Sequence, residues 1–229
     1  MENLKDFVVS KPWGYEYLIF ENKESALWLL YIKGVGKTSL HCHPNKTTGL
    51  LLLKGDARIS FIADYKDVSA PNKQMFRRGL FHATEAISSD GIFILEIETP
   101  NDKNDLIRLN DVYGRSNLSY ESGESLIPKT KKSIWITEPR SDMPETYDNG
   151  EISFQVQKID NLETLLEIDD THIIMFLRGG VGKLVSGVPR VATTTGDIAL
   201  MSILRQVLTS MEFVSKDTLV LIVGLNEGK

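Results

Sequence analysis

The sequence predicts an all-β fold, and two observations support that prediction. Turn-forming residues recur at intervals of about 8 to 12 residues along the chain. Between the turns lie short runs rich in β-branched and aliphatic residues, which in the first half of the chain occupy 27–32, 49–53, 57–62 and 92–97. This spacing is typical of a sandwich or barrel of antiparallel strands, whereas a parallel sheet would need helical segments between its strands.

The same pattern returns in the second half of the chain. Its strand-like runs are 151–159, 173–177, 182–185, 191–194, 198–201 and 218–223. Each half contains a strand that ends in a glycine turn, LLLLKG in the first half and IIMFLRGG in the second. We interpret this as a weak internal repeat of one barrel unit. The residues between the halves are rich in Asp, Asn, Ser, Lys and Pro, and we expect an irregular connector with one strand near 133–137.

Composition and charge exclude several classes of partner. The net charge is −5 and no block of like charge occurs, so there is no electrostatic case for nucleic acid. The longest apolar stretch, around 50–53, is far too short to span a bilayer, and the first residues lack the apolar core of a signal peptide. The single cysteine, Cys42, excludes an internal disulfide. We therefore expect a cytoplasmic protein with no nucleic-acid or membrane partner.

Three of the four histidines lie in two short segments. His41 and His43 flank Cys42 in a run that favours a strand, and His82 follows a turn at Gly79. Side chains alternate along a strand, so the paired imidazoles face one side and Cys42 faces the other. Two imidazoles on one strand and a third from a later strand can hold a transition metal at the mouth of a small barrel. The pattern predicts a divalent metal site and does not choose among zinc, manganese, iron and nickel.

The region 11–115 resembles a known family in four segments. They are KPWGYE at 11–16, SLHCH at 39–43 followed by LLLLKGDARI, RRGLFHATE at 77–85, and DLIRLNDVYGR at 105–115. In these segments the chain is similar to the metal-binding cupin module of type II mannose-6-phosphate isomerases. The resemblance implies a jelly-roll barrel, also called a double-stranded β-helix. With the internal repeat, it implies two tandem cupin barrels.

The second barrel is expected to be degenerate. It has no histidine at the matching turns, because His172 stands alone before its strand. We predict a metal-binding cupin domain at 1–120, a connector at 121–150 and a degenerate cupin domain at 151–229. Exposed edge strands need cover, and we expect the second half to provide it within a homodimer.

The chain departs from the family pattern at one metal-ligand position. Matching the motifs residue by residue places the expected glutamate on Thr48, whose hydroxyl is a poor ligand for a divalent metal. Three alternatives remain: a three-histidine site completed by water, a site completed by a carboxylate from another strand, or a site that no longer binds metal. Glu96 and Glu98 face one side of the strand that follows His82, and Glu98 is the candidate fourth group.

The resemblance implies an isomerase or epimerase that acts on a sugar phosphate or nucleotide sugar in surface polysaccharide biosynthesis. Such a reaction needs a base beside a carbonyl and an electrophile that stabilises the enediolate. Glu98 or Glu96 could be the base, and we select Glu98 and Lys46 as the catalytic residues, with Lys46 also helping to bind the phosphate. Guanidinium groups match phosphate oxygens, so the further candidates for substrate binding are Arg77, Arg78, Arg108 and Arg115.

Two alternative functions come from other classes. Three histidines without a carboxylate can hold ferrous iron with open positions, which would make the protein a dioxygenase. Alternatively, loss of the glutamate marks a non-catalytic bicupin that binds sugars. Iron with oxygen uptake would favour the first alternative, absence of metal the second, and zinc or manganese the isomerase.

Overall fold

A computed structural model of the chain describes residues 4–115, 125–140, 143–148 and 150–225. The chain divides into two compact units, Met1–Trp135 and Ile136–Lys229. Strands predominate in both units, which confirms the predicted all-β class. The boundary between the units falls inside the predicted connector 121–150, part of which lies outside the described residues. The predicted limits of the two cupin domains remain predictions.

The first unit begins with a short 3-10 helix, Leu4–Asp6, and continues as a series of strands. They are β1 (Phe7–Lys11), β2 (Gly14–Glu21), β3 (Ala26–Ile32), β4 (Leu40–Cys42), β5 (Thr47–Lys54), β6 (Asp56–Ser60), β7 (Tyr65–Ser69), β8 (Asn72–Phe76), β9 (Ala83–Ala86), β10 (Ile92–Thr99), β11 (Ile107–Asn110) and β12 (Leu126–Pro128). The near-continuous apolar runs of the sequence became β3, β5 and β10, which lie side by side with β10 in the middle.

These strands form two antiparallel layers. One sheet has the order β12-β1-β2-β3-β10-β5-β8. The second contains β7, β6 and β9, and a bridge between His41 and His82 joins it to the pair β4–β11. Side chains from both layers share one hydrophobic core, to which Trp28, Ile59 and Ile94 belong. Two antiparallel sheets packed around a single core form a jelly-roll sandwich, the arrangement that the cupin resemblance implied.

The second unit also has two antiparallel sheets. Its strands are β13 (Glu145–Asp148), β14 (Ile152–Ile159), β15 (Ile173–Arg178), β16 (Val181–Val185), β17 (Val188–Val191), β18 (Ile198–Leu200), β19 (Phe213–Val214) and β20 (Thr218–Leu225), and its helices are α1 (Leu162–Leu166) and α2 (Met201–Leu208). The sheets have the orders β13-β14-β20-β15-β18 and β17-β16-β19. None of the helices among the described residues has the length and the apolar content needed to cross a bilayer.

Three expectations about local structure were wrong. The region 133–137 is not a strand; its Trp135 packs against the core of the first unit from a segment without regular structure. The strand expected at 191–194 lies earlier, because Ser186 and Gly187 both adopt positive φ and close a two-residue hairpin turn. The run 198–201 ends at Leu200. Helix α2 follows because Met201, Leu204 and Leu208 are spaced to bury one helical face.

The core of the first unit provides a test of the fold. Ile94 is 2% exposed at the centre of the large sheet, and Ile94→Ala should lower the free energy of unfolding by about 2–5 kcal/mol because it leaves a cavity. Ile62 is 66% exposed, and Ile62→Ala should have little effect. Trp13, Trp28 and Trp135 all lie in this unit, so tryptophan fluorescence during denaturation reports on it. Equal losses from both substitutions would contradict the placement of β10.

Candidate metal and active site

The structure brings together the three histidines that the sequence selects. His41 lies on β4, His43 follows that strand directly, and His82 lies just before β9. The backbones of His41 and His82 exchange two hydrogen bonds, with N···O distances of 3.0 and 2.8 Å. One ring nitrogen from each of the three histidines lies within 4.8 Å of the others. Among the described residues, no carboxylate belongs to this cluster.

The Nδ1 atom of each imidazole contacts a backbone carbonyl. His41 Nδ1 lies 2.8 Å from the oxygen of Ser39, and His82 Nδ1 lies 3.0 Å from that of Leu80. His43 Nδ1 lies 2.6 Å from the carbonyl oxygen of Asp105. A carbonyl only accepts hydrogen bonds, so the proton of each neutral ring is assigned to Nδ1 and the lone pair to Nε2. This orientation by a backbone group is typical of metal-ligating histidines.

The local environment keeps these imidazoles neutral. Burial, followed by the positive charge of Lys46, lowers the pKa of His43 to about 3. Burial also lowers the pKa of His82 to about 4 and that of His41 well below its ordinary value. The Nε2 atom of His43 is buried and has no hydrogen-bond partner among the described residues. Neutral rings with such a nitrogen fit a divalent transition metal, because the metal ligand is the unprotonated nitrogen.

A buried carboxylate lies in the wall of the same cavity. Glu98 on β10 is 1% exposed, and its Oε1 accepts hydrogen bonds from Lys46 Nζ at 2.8 Å and from Lys103 Nζ at 3.1 Å. Burial alone would raise the pKa of Glu98, but Lys103 and Lys46 hold it below its ordinary value. The carboxylate is therefore ionised. Its Oε2 is buried without a hydrogen-bond partner among the described residues.

Strand register explains how Glu98 relates to the departure from the family pattern. Thr48 on β5 is directly opposite Glu98 on β10. Directly opposite residues of an antiparallel pair project from the same face of the sheet. A carboxylate is therefore present beside the position where the motif lacks one, but on the neighbouring strand. Glu98 lies outside the histidine cluster of the described residues, so completion of the metal site by this carboxylate stays a prediction.

Further charged groups extend the wall, and sequence reasoning missed them. Lys103 also pairs with Glu16 on β2 at 3.4 Å, and Glu16 pairs with Lys11 on β1 at the same distance. The Lys103 ammonium lies 3.9 Å from the ring centre of Trp28, a favourable cation–π distance. Lys11 and Glu16 belong to the KPWGYE segment, which was the only sequence signal that pointed toward them.

The cavity contains a second inward glutamate, Glu96. It lies two positions before Glu98 on β10 and is 8% exposed. Burial raises the pKa of Glu96 to about 7, and the opposing effect of Lys103 does not cancel the increase. The pKa values of Glu96 and Glu98 are therefore shifted in opposite directions, because Glu98 receives hydrogen bonds directly from two ammonium groups.

The backbone of the histidine loop is held by Asp105, which sequence reasoning also missed. Its carboxylate accepts hydrogen bonds from the backbone N–H groups of Asn45 and Lys46, at 2.8 and 2.9 Å, and from the Asn45 side chain at 2.9 Å. Its own carbonyl oxygen contacts His43. Burial alone would raise the pKa of Asp105, but these hydrogen bonds lower it. One residue therefore fixes both the loop and an imidazole.

The predicted cationic residues fall into three groups. Lys46 lines the cavity, but its ammonium is bound to Glu98 and to the carbonyl oxygen of Asp102, the latter at 2.9 Å. Arg108 and Arg115 also line the cavity, and Arg115 makes a two-pronged ion pair with Asp111. Arg77 and Arg78 are exposed and do not line it.

Comparison with known proteins gives distant similarities to solved structures. No family model and no curated protein matches the sequence. Among solved structures, a Klebsiella pneumoniae protein with a double-stranded β-helix domain is 12% identical, with a TM-score of 0.41 over 44% of this chain and 84% of its own. A putative sugar phosphate isomerase from Acidithiobacillus ferrooxidans is 14% identical, with a TM-score of 0.35 over 40% and 64%.

The capsular polysaccharide assembling protein CapF from Staphylococcus aureus is 16% identical, with a TM-score of 0.40 over 45% of this chain and 34% of its own. Similarities of this size carry no argument about activity. The properties of the site therefore rest on the geometry of this chain.

The buried charge network provides a test of the site. Glu98→Ala removes the anion shared by Lys46 and Lys103, and should lower the free energy of unfolding by about 3–5 kcal/mol. Asp67→Ala breaks the exposed ion pair with Arg58 and should change stability little, because solvent screens that pair. Denaturation followed by tryptophan fluorescence measures both. A Glu98→Ala variant as stable as the parent would contradict the network.

Proposed function

We propose that the first unit is a metal-dependent carbohydrate isomerase or epimerase that acts on a sugar phosphate or nucleotide sugar. The observation that carries the proposal is an ionised, buried carboxylate with one unbound oxygen, in the same cavity as three neutral imidazoles. The sugar substrate and a role in surface polysaccharide biosynthesis come from the resemblance of the four sequence segments. The geometry of the cavity therefore supports the type of reaction, whereas the sequence resemblance supports the choice of a sugar as the substrate.

The metal ligands in this proposal are His41, His43 and His82. Their imidazole nitrogens suit zinc, manganese, iron or nickel. A divalent metal bound there would supply a Lewis acid for the oxygens of a sugar carbonyl and its neighbouring hydroxyl.

Glu98 is the proposed base. Its Oε2 is unbound, so it can take a proton from the carbon beside the carbonyl and return it to the adjacent carbon on the same face, while the proton of the neighbouring hydroxyl passes to the former carbonyl oxygen. An epimerase would need a second proton donor on the opposite face of the sugar. Because the proton is returned, the reaction needs no external oxidant or reductant. Lys46 and Lys103 hold the other oxygen, so they fix the direction in which Oε2 points. We assign Lys46 to this positioning role, since its ammonium is already bound to Glu98 and to the carbonyl oxygen of Asp102.

Arg108 is the proposed contact for a phosphate group. It lines the cavity from β11 and lies directly opposite His41 in the β4–β11 pair, close to the metal ligands. Arg115 is held by Asp111, which supports a role in shaping the cavity. Arg77 and Arg78 would reach only a substrate that extends beyond the cavity, such as a nucleotide sugar.

The second unit is proposed to be a degenerate cupin barrel with a structural role in a homodimer. Among its described residues no cluster of metal-ligating side chains occurs, which supports loss of the site. A monomeric mass in solution would contradict the homodimer.

Metal binding should depend on the cluster and not on the fourth histidine. His43→Ala should weaken zinc binding by about 100-fold or more, because it removes a ligand fixed by the Asp105 carbonyl. His172 lies outside the cluster, so the His172→Ala variant should bind zinc like the parent. Titration against a competing chelator, with metal content of the purified proteins, measures both. Equal affinities in the two variants would exclude the site.

Substitutions at two residues should affect different kinetic parameters, one lowering turnover and the other weakening substrate binding. With mannose 6-phosphate as the test substrate, Glu98→Gln should lower kcat by about 100-fold or more and leave KM nearly unchanged, because the base is lost and the shape is kept. Arg108→Ala should raise KM and spare kcat, because it removes a contact that is equal in the ground and transition states. Asp67→Asn is the exposed control. Unchanged kcat in Glu98→Gln would exclude Glu98 as the base.

One observation favours a second candidate, an iron-dependent oxygenase. The cluster consists of three imidazoles without a carboxylate among the described residues, and imidazole also suits iron. Metal analysis and oxygen consumption separate the two candidates. Stoichiometric iron with oxygen uptake would support the oxygenase, whereas isomerisation under anaerobic conditions would exclude it.

A further inference from the structure

Glu96 is a carboxylate to which the proposed chemistry assigns no task. It lies on β10 opposite Leu50 of β5 and Trp28 of β3, and it lines the cavity that holds the histidines and Glu98. More than nine-tenths of its surface is buried. Its side chain therefore lies inside the barrel and not on a solvated face.

Glu96 differs from the other charged groups of the wall in having no hydrogen bond or ion pair to any part of the chain that the structure describes. The wall lysines pair instead with its neighbours: Lys11 and Lys103 with Glu16, and Lys46 and Lys103 with Glu98. Unlike Oε2 of Glu98, the Glu96 oxygens are not among the described atoms that are both fully buried and without a partner, so they keep access to the cavity. The geometry therefore provides an acceptor that a donor from outside the chain can satisfy.

The surrounding charges restrict the chemistry of that donor. Lys103 and Lys46 are close enough to act electrostatically on Glu96, which disfavours an ammonium group beside it. Glu16 and Glu98 act on it with the opposite sign, and together with Glu96 they disfavour a phosphate or a carboxylate. The wall lysines Lys11, Lys46 and Lys103 balance the carboxylates of Glu16, Glu98 and Glu96 in number, so the repulsion of an anion comes mainly from Glu96, which it would directly contact. A neutral hydroxyl is the donor that fits both sets of charges.

We propose that Glu96 accepts a hydrogen bond from a hydroxyl group of a neutral sugar or polyol portion of the ligand. This inner part of the cavity is then a hydroxyl-binding subsite that rejects anionic groups. The inference rests on the proposed carbohydrate function and deepens it, because it fixes which part of the substrate enters. The hydroxyl-bearing chain lies against Glu96, and an anionic group, where the substrate has one, stays near Arg108.

The test compares binding to the metal-loaded protein of mannose, its monodeoxy analogues and mannose 6-phosphate, by calorimetry. Glu96→Gln keeps the shape and replaces one acceptor oxygen by a donor, so it should weaken mannose binding by about tenfold or more. One monodeoxy analogue, which lacks the hydroxyl that contacts Glu96, should bind the parent and the variant equally. Glu85→Gln changes a half-exposed glutamate that pairs with Lys37 and should bind every sugar like the parent.

Thermal unfolding gives a second measurement. If Glu96 had only a structural role, its substitution would lower the Tm. Glu96→Gln removes a buried charge without a direct partner, so the Tm of the free protein should stay the same or rise while sugar binding weakens. A fall in Tm with unchanged sugar affinity would overturn the proposal. So would equal binding of mannose by the parent and Glu96→Gln, or failure of mannose to bind at all.

The outcome for the subsite is distinguishable from the outcome for the proposed function. If mannose 6-phosphate is isomerised and Glu96→Gln binds mannose like the parent, the hydroxyl subsite is wrong and the isomerase stands. If Glu96→Gln weakens mannose binding but Glu98→Gln retains full turnover, the subsite stands and the assignment of the base is wrong.

Discussion

A carboxyl group buried in the wall of a β-barrel is held in its ionised form by cations fixed beside it, and Glu98 shows how this chain does so. Lys46 comes from the residue just before β5 and Lys103 from the segment after β10, and both ammonium groups bind the same oxygen. This arrangement leaves the second oxygen unbound while keeping the group ionised. The cavity therefore holds a negative charge that points in one direction, near imidazoles that burial keeps neutral.

The same network ties together segments that are far apart in the sequence. Lys103 contacts Glu16 on β2 and stacks over Trp28 on β3, so the N-terminal strands contribute to the wall as well as to the core. Lys11 extends the network to β1. The charged network and the hydrophobic core consequently meet at Trp28, which belongs to the core cluster. A substitution in the charged network is therefore expected to affect the packing of the core, and a substitution in the core is expected to affect the network.

The sequence was informative where one local rule decides the structure. Alternation along a strand was enough to place His41 and His43 together, and the third histidine followed from the motif. The relation between Thr48 and Glu98 depends on the register of β5 with β10, which no local pattern specifies. Lys11, Glu16 and Lys103 were missed because a surface-like charge becomes a buried partner only through tertiary contacts. Arg77 and Arg78 illustrate the converse, since the sequence cannot distinguish an exposed arginine from one in a cavity.

The contact between Asp105 and the loop at 43–46 has a consequence for how the protein can be divided. All three histidines lie before residue 83, so a fragment chosen to include them would end well before Asp105. Such a fragment would retain every candidate ligand and yet lack the carboxylate and the carbonyl that hold the loop and orient His43. The smallest fragment that can hold the histidines in place is set by the groups that support the ligands, and it must extend at least through Asp105.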